Sequence, residues 1–312
     1  MEKQIQPKNK LNFKIKHLPR LFVNAFKIWN KNEPGRLGAV VAYYAVLSLP
    51  SLLVVIINLV GYIWGAELVQ GQITGQISSA IGKDAAQSLV EIINNTKSDS
   101  HNWVMNVVGI GFLVFGATGV FYQLQISMND IWDVKIDPNS GFWKVVKDRI
   151  VSLGFVMVIA FMLIVSFVAS TALSVLSNYL SMLWEPAYVV LAQGFEFSLS
   201  TVILGLLFVL IFKFMPDVKV EWKSIWLGGF ITGFLFNIGK ILLSLYFGEA
   251  NPASTYGAAG SVVLVLLWVS YSSLILFYGA AFTRAYAEKY ALDVKIEDHI
   301  VKIEKKEIVV PK

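Results

Sequence analysis

The chain has 312 residues, 56% hydrophobic and only 15% charged, where soluble domains run near 25% charged. Residues 1–36 and 284–312 hold 24 of the 47 charges, so the long middle is too poor in charge to cover a soluble core. This excludes a soluble globular domain and points to a membrane protein. With no Cys, disulfides, thiolate metal sites and Cys nucleophiles are excluded as well.

Residues 1–36 form a basic N-terminal segment. Within it Leu18, Leu21, Phe22, Ala25 and Trp29 fall on one helical face, and Arg20, Asn24, Lys27 and Lys31 on another. That pattern predicts an amphipathic helix on the inner leaflet, with packing on cytosolic loops as the alternative. Six apolar stretches follow, at about 37–64, 102–128, 150–176, 190–213, 224–247 and 259–283. Each suffices for one crossing at roughly 20 residues per span. The expected fold is all-α: a polytopic membrane protein with a six-helix transmembrane domain over 37–287, amphipathic interfacial helices, and a charged tail at 288–312. Between the first two spans, 67–101 carries Val69, Ile73, Ile77 and Ile81 at four-residue spacing and reads as external amphipathic helices.

Counting Lys and Arg gives the direction. The N-terminal segment has nine, the 130–149 loop four, the 213–223 loop three and the C-terminal segment seven, while the alternate connections carry only Lys83 and Lys97. Positive charge stays inside, so both termini are expected in the cytoplasm. The net charge of +5 then needs no nucleic-acid partner. No cleavable signal peptide is expected from the long basic leader.

Several motifs carry a resemblance. Ala42-Tyr43-Tyr44 through Ser48-Leu49-Pro50 comes first, then Gly119-Val120-Phe121-Tyr122-Gln123-Leu124-Gln125 with Asn129 and Ile131-Trp132. A third set runs from Pro216 through Trp222, Gly228, Gly239-Lys240 and Tyr246 to Tyr256-Gly257-Ala258-Ala259-Gly260, with Trp268 and Gly279-Ala280 beyond. Over about residues 25–290 the chain resembles the YihY/virulence factor BrkB family. The resemblance implies six helices in the bacterial inner membrane and a loosely defined function: an old ribonuclease BN label, serum resistance, or envelope-lipid export. The chain departs from the family pattern in having only Leu49 between Ser48 and Pro50 where a further residue is usual, in Ser270 where an aromatic is common, and in Ala281 where a Glu is usual.

The fifth span holds the sharpest site feature. Gly229, Gly233, Asn237, Lys240 and Ser244 fall on one helical face. A Lys at this depth is costly in hydrocarbon and needs pairing, hydration or a function. Snorkelling to outer headgroups or a structural ion pair with Glu196 is one reading; a substrate pathway is the other. On that second reading Lys240, Asn237, Glu196, Gln123 and Asn106 line the pathway. Pro50 marks a kink, and Gly229, Gly233, Gly257 and Gly260 serve packing or hinge motion.

Catalysis has little support. His17, His101 and His299 lie on separate segments, and neither H-E-x-x-H nor G-x-S-x-G occurs. Asp130, Asp133 and Asp137 read as a solvated loop balanced by Lys135, Lys144, Lys147 and Arg149. No cofactor and no metal are expected. The function predicted is transport or export of an amphipathic or anionic envelope compound, with membrane lipids as partners. The alternative is a non-transporting scaffold for envelope integrity.

Overall fold

The computed structural model describes residues 15–81, 87, 90–91, 103–136, 146–159, 161–162, 185–250, 256, 259–290, 295–296 and 300–302. A single 3-10 turn, Ile15–His17, leads into α1 (Leu18–Lys31). The helices α2 (Pro34–Trp64) and α3 (Ala66–Ile81) follow. Next come α4 (Trp103–Ile131), strand β1 (Val134–Ile136) and α5 over 146–159. A hairpin of α6 (Glu185–Phe214) and α7 (Trp222–Ala250) has strand β2 (Val218–Lys219) in its turn. The long α8 (Gly260–Lys289) precedes β3 (Lys295–Ile296) and β4 (Ile300–Lys302).

Local chemistry sets the corners. Asn32 closes α1 by donating from Nδ2 to the Ile28 carbonyl at 2.9 Å, and Glu33 turns at φ 50°. Pro34 then opens α2, where its missing N–H costs nothing. Gly65 ends α2 at φ 91°, a conformation L side chains rarely adopt. Between Pro34–Leu49 and Ser51–Ile57 the helix bends by 52°. Pro50, at the break, has no amide hydrogen for the carbonyl four residues back.

The helices pack in a sequence of neighbours: α4 on α2, α2 on α8, α8 on α7, and α7 on α6. Phe121 of α4 stacks on Phe155 of α5 at 6.2 Å between ring centroids, adding α5 at the α4 side. Val69 and Ile73 of α3 are buried, and that helix touches α7 and α8. Among the described residues, three segments are long and apolar enough to cross a membrane: Phe197–Phe214, Trp222–Glu249 and Val262–Lys289. The bent α2 makes a fourth if its halves count as one span. The protein is therefore predominantly helical with membrane-spanning capacity. Most of the expected 150–176 span lies outside the described residues, as do Gly257 and most of the external region past 81.

Two findings change the expected picture at the end where α1 meets the last turns of α8. The apolar face of α1 does not lie open to lipid. Leu21 and Ala25 are fully buried against Phe282, Ala285, Tyr286 and Tyr290 of α8. Trp29 Nε1 donates to the Leu274 carbonyl at 3.1 Å, and the Tyr278 hydroxyl donates to the Phe22 carbonyl at 3.1 Å. The end of α8 offers a complementary apolar surface, and burying Leu21 and Ala25 there helps hold α1 against it. The second finding concerns the charged C-terminal segment, which contributes strands. β4 pairs antiparallel with β1, and β3 with β2. The segment thereby ties the loop after α4 to the loop between α6 and α7.

Candidate functional site

Polar groups gather where these loops meet. Gln125 and Asn129, one turn apart on α4, face Asp217 beyond α6 and Asp148 near the start of α5. Gln125 Nε2 donates to both Asp217 oxygens, at 3.3 and 3.2 Å, and to Asp148 Oδ1 at 3.3 Å. Asn129 Nδ2 donates to Asp217 Oδ2 at 2.7 Å, and the Asp217 amide returns a bond to Asn129 Oδ1 at 2.9 Å. Asp148 is 2% exposed and Asp217 7%. Buried carboxylates persist only when well hydrogen-bonded, and this amide pair supplies part of that.

Two arginines flank the network. Arg284 of α8 bridges Asp133 at 2.8 Å and Glu288 at 2.7 Å, and donates to the Ile131 carbonyl at 2.6 Å. It therefore caps the C-terminal end of α4, where a cation also meets the negative end of the helix dipole. The Arg149 guanidinium lies 4.2 Å from the Phe115 ring centroid and 5.1 Å from that of Tyr122, and donates to Thr118 Oγ1 at 2.9 Å. The 130–149 loop is accordingly not a solvated turn throughout: Asp133 pairs with a helix of the bundle, and α5 packing on α4 draws Asp148 out of water.

The α7 residues separate into two environments. A methyl added at Gly233 would meet the Gly205 amide nitrogen of α6 at 2.6 Å, and one at Gly229 the Val209 nitrogen at 2.8 Å. Asn237 is 2% exposed and donates to the Phe197 carbonyl at 3.1 Å and to Thr201 Oγ1 at 3.0 Å. It joins α7 to α6. Lys240, under one turn further, is exposed and has no ion pair or hydrogen bond among the described residues. Ile238, Ile241 and Leu242 beside it are exposed too. Glu196 directly precedes Phe197, which places its backbone near Asn237, but its side chain lies outside the described residues.

The remaining expected pathway residues are elsewhere. Gln123 is half-buried and reaches Ser127 of its own helix at 3.5 Å, and the Asn106 side chain lies outside the described residues. Gly260 is buried at the start of α8. The structure thus brings Asn237 and the Glu196 backbone together near Lys240, and leaves Gln123 on α4. The buried network around Asp148 and Asp217 escaped the sequence reading. The available signals were modest: Gln125 and Asn129 share a helical face, and Asp217 stands between apolar Met215-Pro216 and Val218.

The Virulence factor BrkB family matches residues 25–301 of this chain. The chain belongs to that family. The match covers β3 and ends within β4. Relatives named UPF0761 membrane protein include one from Teredinibacter turnerae, 25% identical over 86% of this chain and 62% of its own length. Others are from Vibrio cholerae El Tor, 26% identical over 72% of this chain and 70% of the relative, and from Psychromonas ingrahamii, 25% over 84% and 86%. The chain thus spans less than two thirds of the first of these. No solved structure matches. Membership makes this a membrane protein of the BrkB family, in agreement with its apolar helices.

Proposed function

We propose that the chain is a six-span protein of the bacterial plasma membrane, with both termini cytoplasmic, that transports or exports an amphipathic anionic envelope compound. One observation carries this reading: Lys240 stands exposed on a membrane-capable helix, among exposed Ile238, Ile241 and Leu242, with no partner among the described residues. Lys240 stands past the midpoint of α7, where a lysine costs less than the about 2.5–3.5 kcal/mol it would at the centre of a span but still needs water or a counter-charge. Water or an anionic group beside Lys240 offsets that cost. Asn237 already serves the α6–α7 contact, so it fixes the position of Lys240 rather than the ligand. The reading includes no catalytic step.

The test is reconstitution of the full chain into vesicles carrying fluorescent phosphatidylglycerol, with an impermeant quencher outside. Inner-leaflet label should become accessible faster than in protein-free vesicles, and Lys240→Gln should slow this about fivefold, the value of one charge contact. Unchanged flux in Lys240→Gln removes Lys240 from the pathway. No flux in the intact protein, for this or a bulkier anionic amphiphile, puts the scaffold reading ahead. That second reading draws on the cross-linked end, where Gln125, Asn129 and the C-terminal strands join three loops into one block.

A further inference from the structure

Between α1 and the last turn of α8 runs an open groove of about 750 Å³. Arg20, Asn24 and Lys27 line it from α1, with Val23; Glu288 and Lys289 line it from α8. Arg20 and Lys27 are exposed and form no ion pair among the described residues. The one acid is already engaged, since Glu288 accepts from Arg284 Nε at 2.7 Å. The groove is therefore cationic, with a polar amide in its middle. Val23, exposed at 54%, and Pro19 give it an apolar lip.

Its depth follows from how α7 and α8 pack. Gly228 lies against Thr283, and Thr232 against Gly279, so the antiparallel helices step past each other one turn at a time. That register sets Trp222 and Trp226 at the level of Lys289 and Ala285. Both tryptophans are exposed, at 47% and 43%, and Phe214 packs on Trp222 with Lys213 over its ring at 5.0 Å. Exposed Trp beside Lys is the signature of the membrane–water boundary. The groove thus opens at headgroup depth.

We infer that this groove is a binding site for the headgroup of an anionic phospholipid of the adjacent leaflet, with its acyl chains leaving past Pro19 and Val23. Charge complementarity selects the headgroup, and the apolar lip selects a lipid over a soluble phosphate. With its own apolar face buried on α8, α1 acts as one wall of a lipid clamp instead of floating on the surface. The site rests on α8 crossing the membrane and not on transport.

The experiment uses the full chain purified from native membranes, with bound lipid counted by native mass spectrometry. The intact protein should retain phosphatidylglycerol when offered an equal mixture with phosphatidylcholine, and millimolar inorganic phosphate should not displace it. The combined Arg20→Gln, Lys27→Gln, Lys289→Gln protein should lose that enrichment by about tenfold or more. Arg20→Lys, which keeps the charge, should hold it. These side chains are on the surface, so folding is checked simply by monodispersity and an unchanged melting temperature. Equal enrichment in intact and triple-substituted protein overturns the site, and displacement by phosphate overturns the lipid assignment. Neither result depends on flux through Lys240.

Discussion

Asp217 accepts hydrogen bonds on both carboxylate oxygens from amides that are themselves fixed on α4. Asp217→Asn keeps the shape but turns one acceptor into a donor facing another N–H. The expected loss is about 1–3 kcal/mol, the cost of an unsatisfied buried group, read as a lower melting temperature in detergent. Gln125→Glu should be worse, because it sets a third carboxylate beside Asp148 and Asp217. Arg284→Gln removes two carboxylate partners and the cap on Ile131 together. Breaking a buried pair costs about 3–5 kcal/mol; with Arg284 and Asp133 at 15% and 13% exposure, the lower end is expected. Arg284→Gln with Asp133→Asn should recover part of it. Gln125 stood in a motif, but the charged partners Asp217, Asp148, Asp133 and Arg284 read in the sequence only as loop and tail charges, because burial is decided by which segments meet.

The α7–α8 contact is built from two matching halves. Thr232 donates back to the Gly228 carbonyl at 2.6 Å and packs on Gly279; Thr283 donates back to the Gly279 carbonyl at 2.9 Å and packs on Gly228. Each hydroxyl is satisfied within its own helix, and that same oxygen is the atom that fills the glycine notch of the other. Gly228→Ala should cost about 1–3 kcal/mol through overpacking, and Thr283→Ala in the same protein should relieve part of it. Gly233→Ala should be costlier, because its methyl meets the Gly205 backbone, which cannot rotate away. Melting temperatures of the four proteins check the order. At this scale the sequence was most readable. Charge-free stretches located the apolar helices, small residues marked Gly229 and Gly233, and the stripe of α1 was clear. The stripe required only that Leu21 and Ala25 be covered; whether lipid or α8 covers them depends on surfaces that are distant in sequence. Strands β1 to β4 were invisible because two or three residues show no periodicity and pair only across long separations.

For the whole molecule, the distribution of Lys and Arg predicts sidedness that the fold by itself leaves open. Since the chain has no native Cys, Ser98→Cys in intact cells should react with an impermeant thiol reagent and Ser140→Cys should not; the reverse labelling overturns the orientation. Removing everything after Tyr290 should leave the apolar helices inserted but speed hydrogen exchange at 134–136 and 218–219, whose strand partners are gone. Those pairings also order events during synthesis. Residues 300–302 leave the ribosome after every described helix, yet they complete a sheet begun by 134–136. Until then the loops beneath α4 and α6 have unpaired strand edges, exposed to chaperones and proteases alike. Translation halted after Tyr290 should therefore leave 134–136 and 218–219 without their strand partners, read as faster proteolysis at those two loops than in the longer chain.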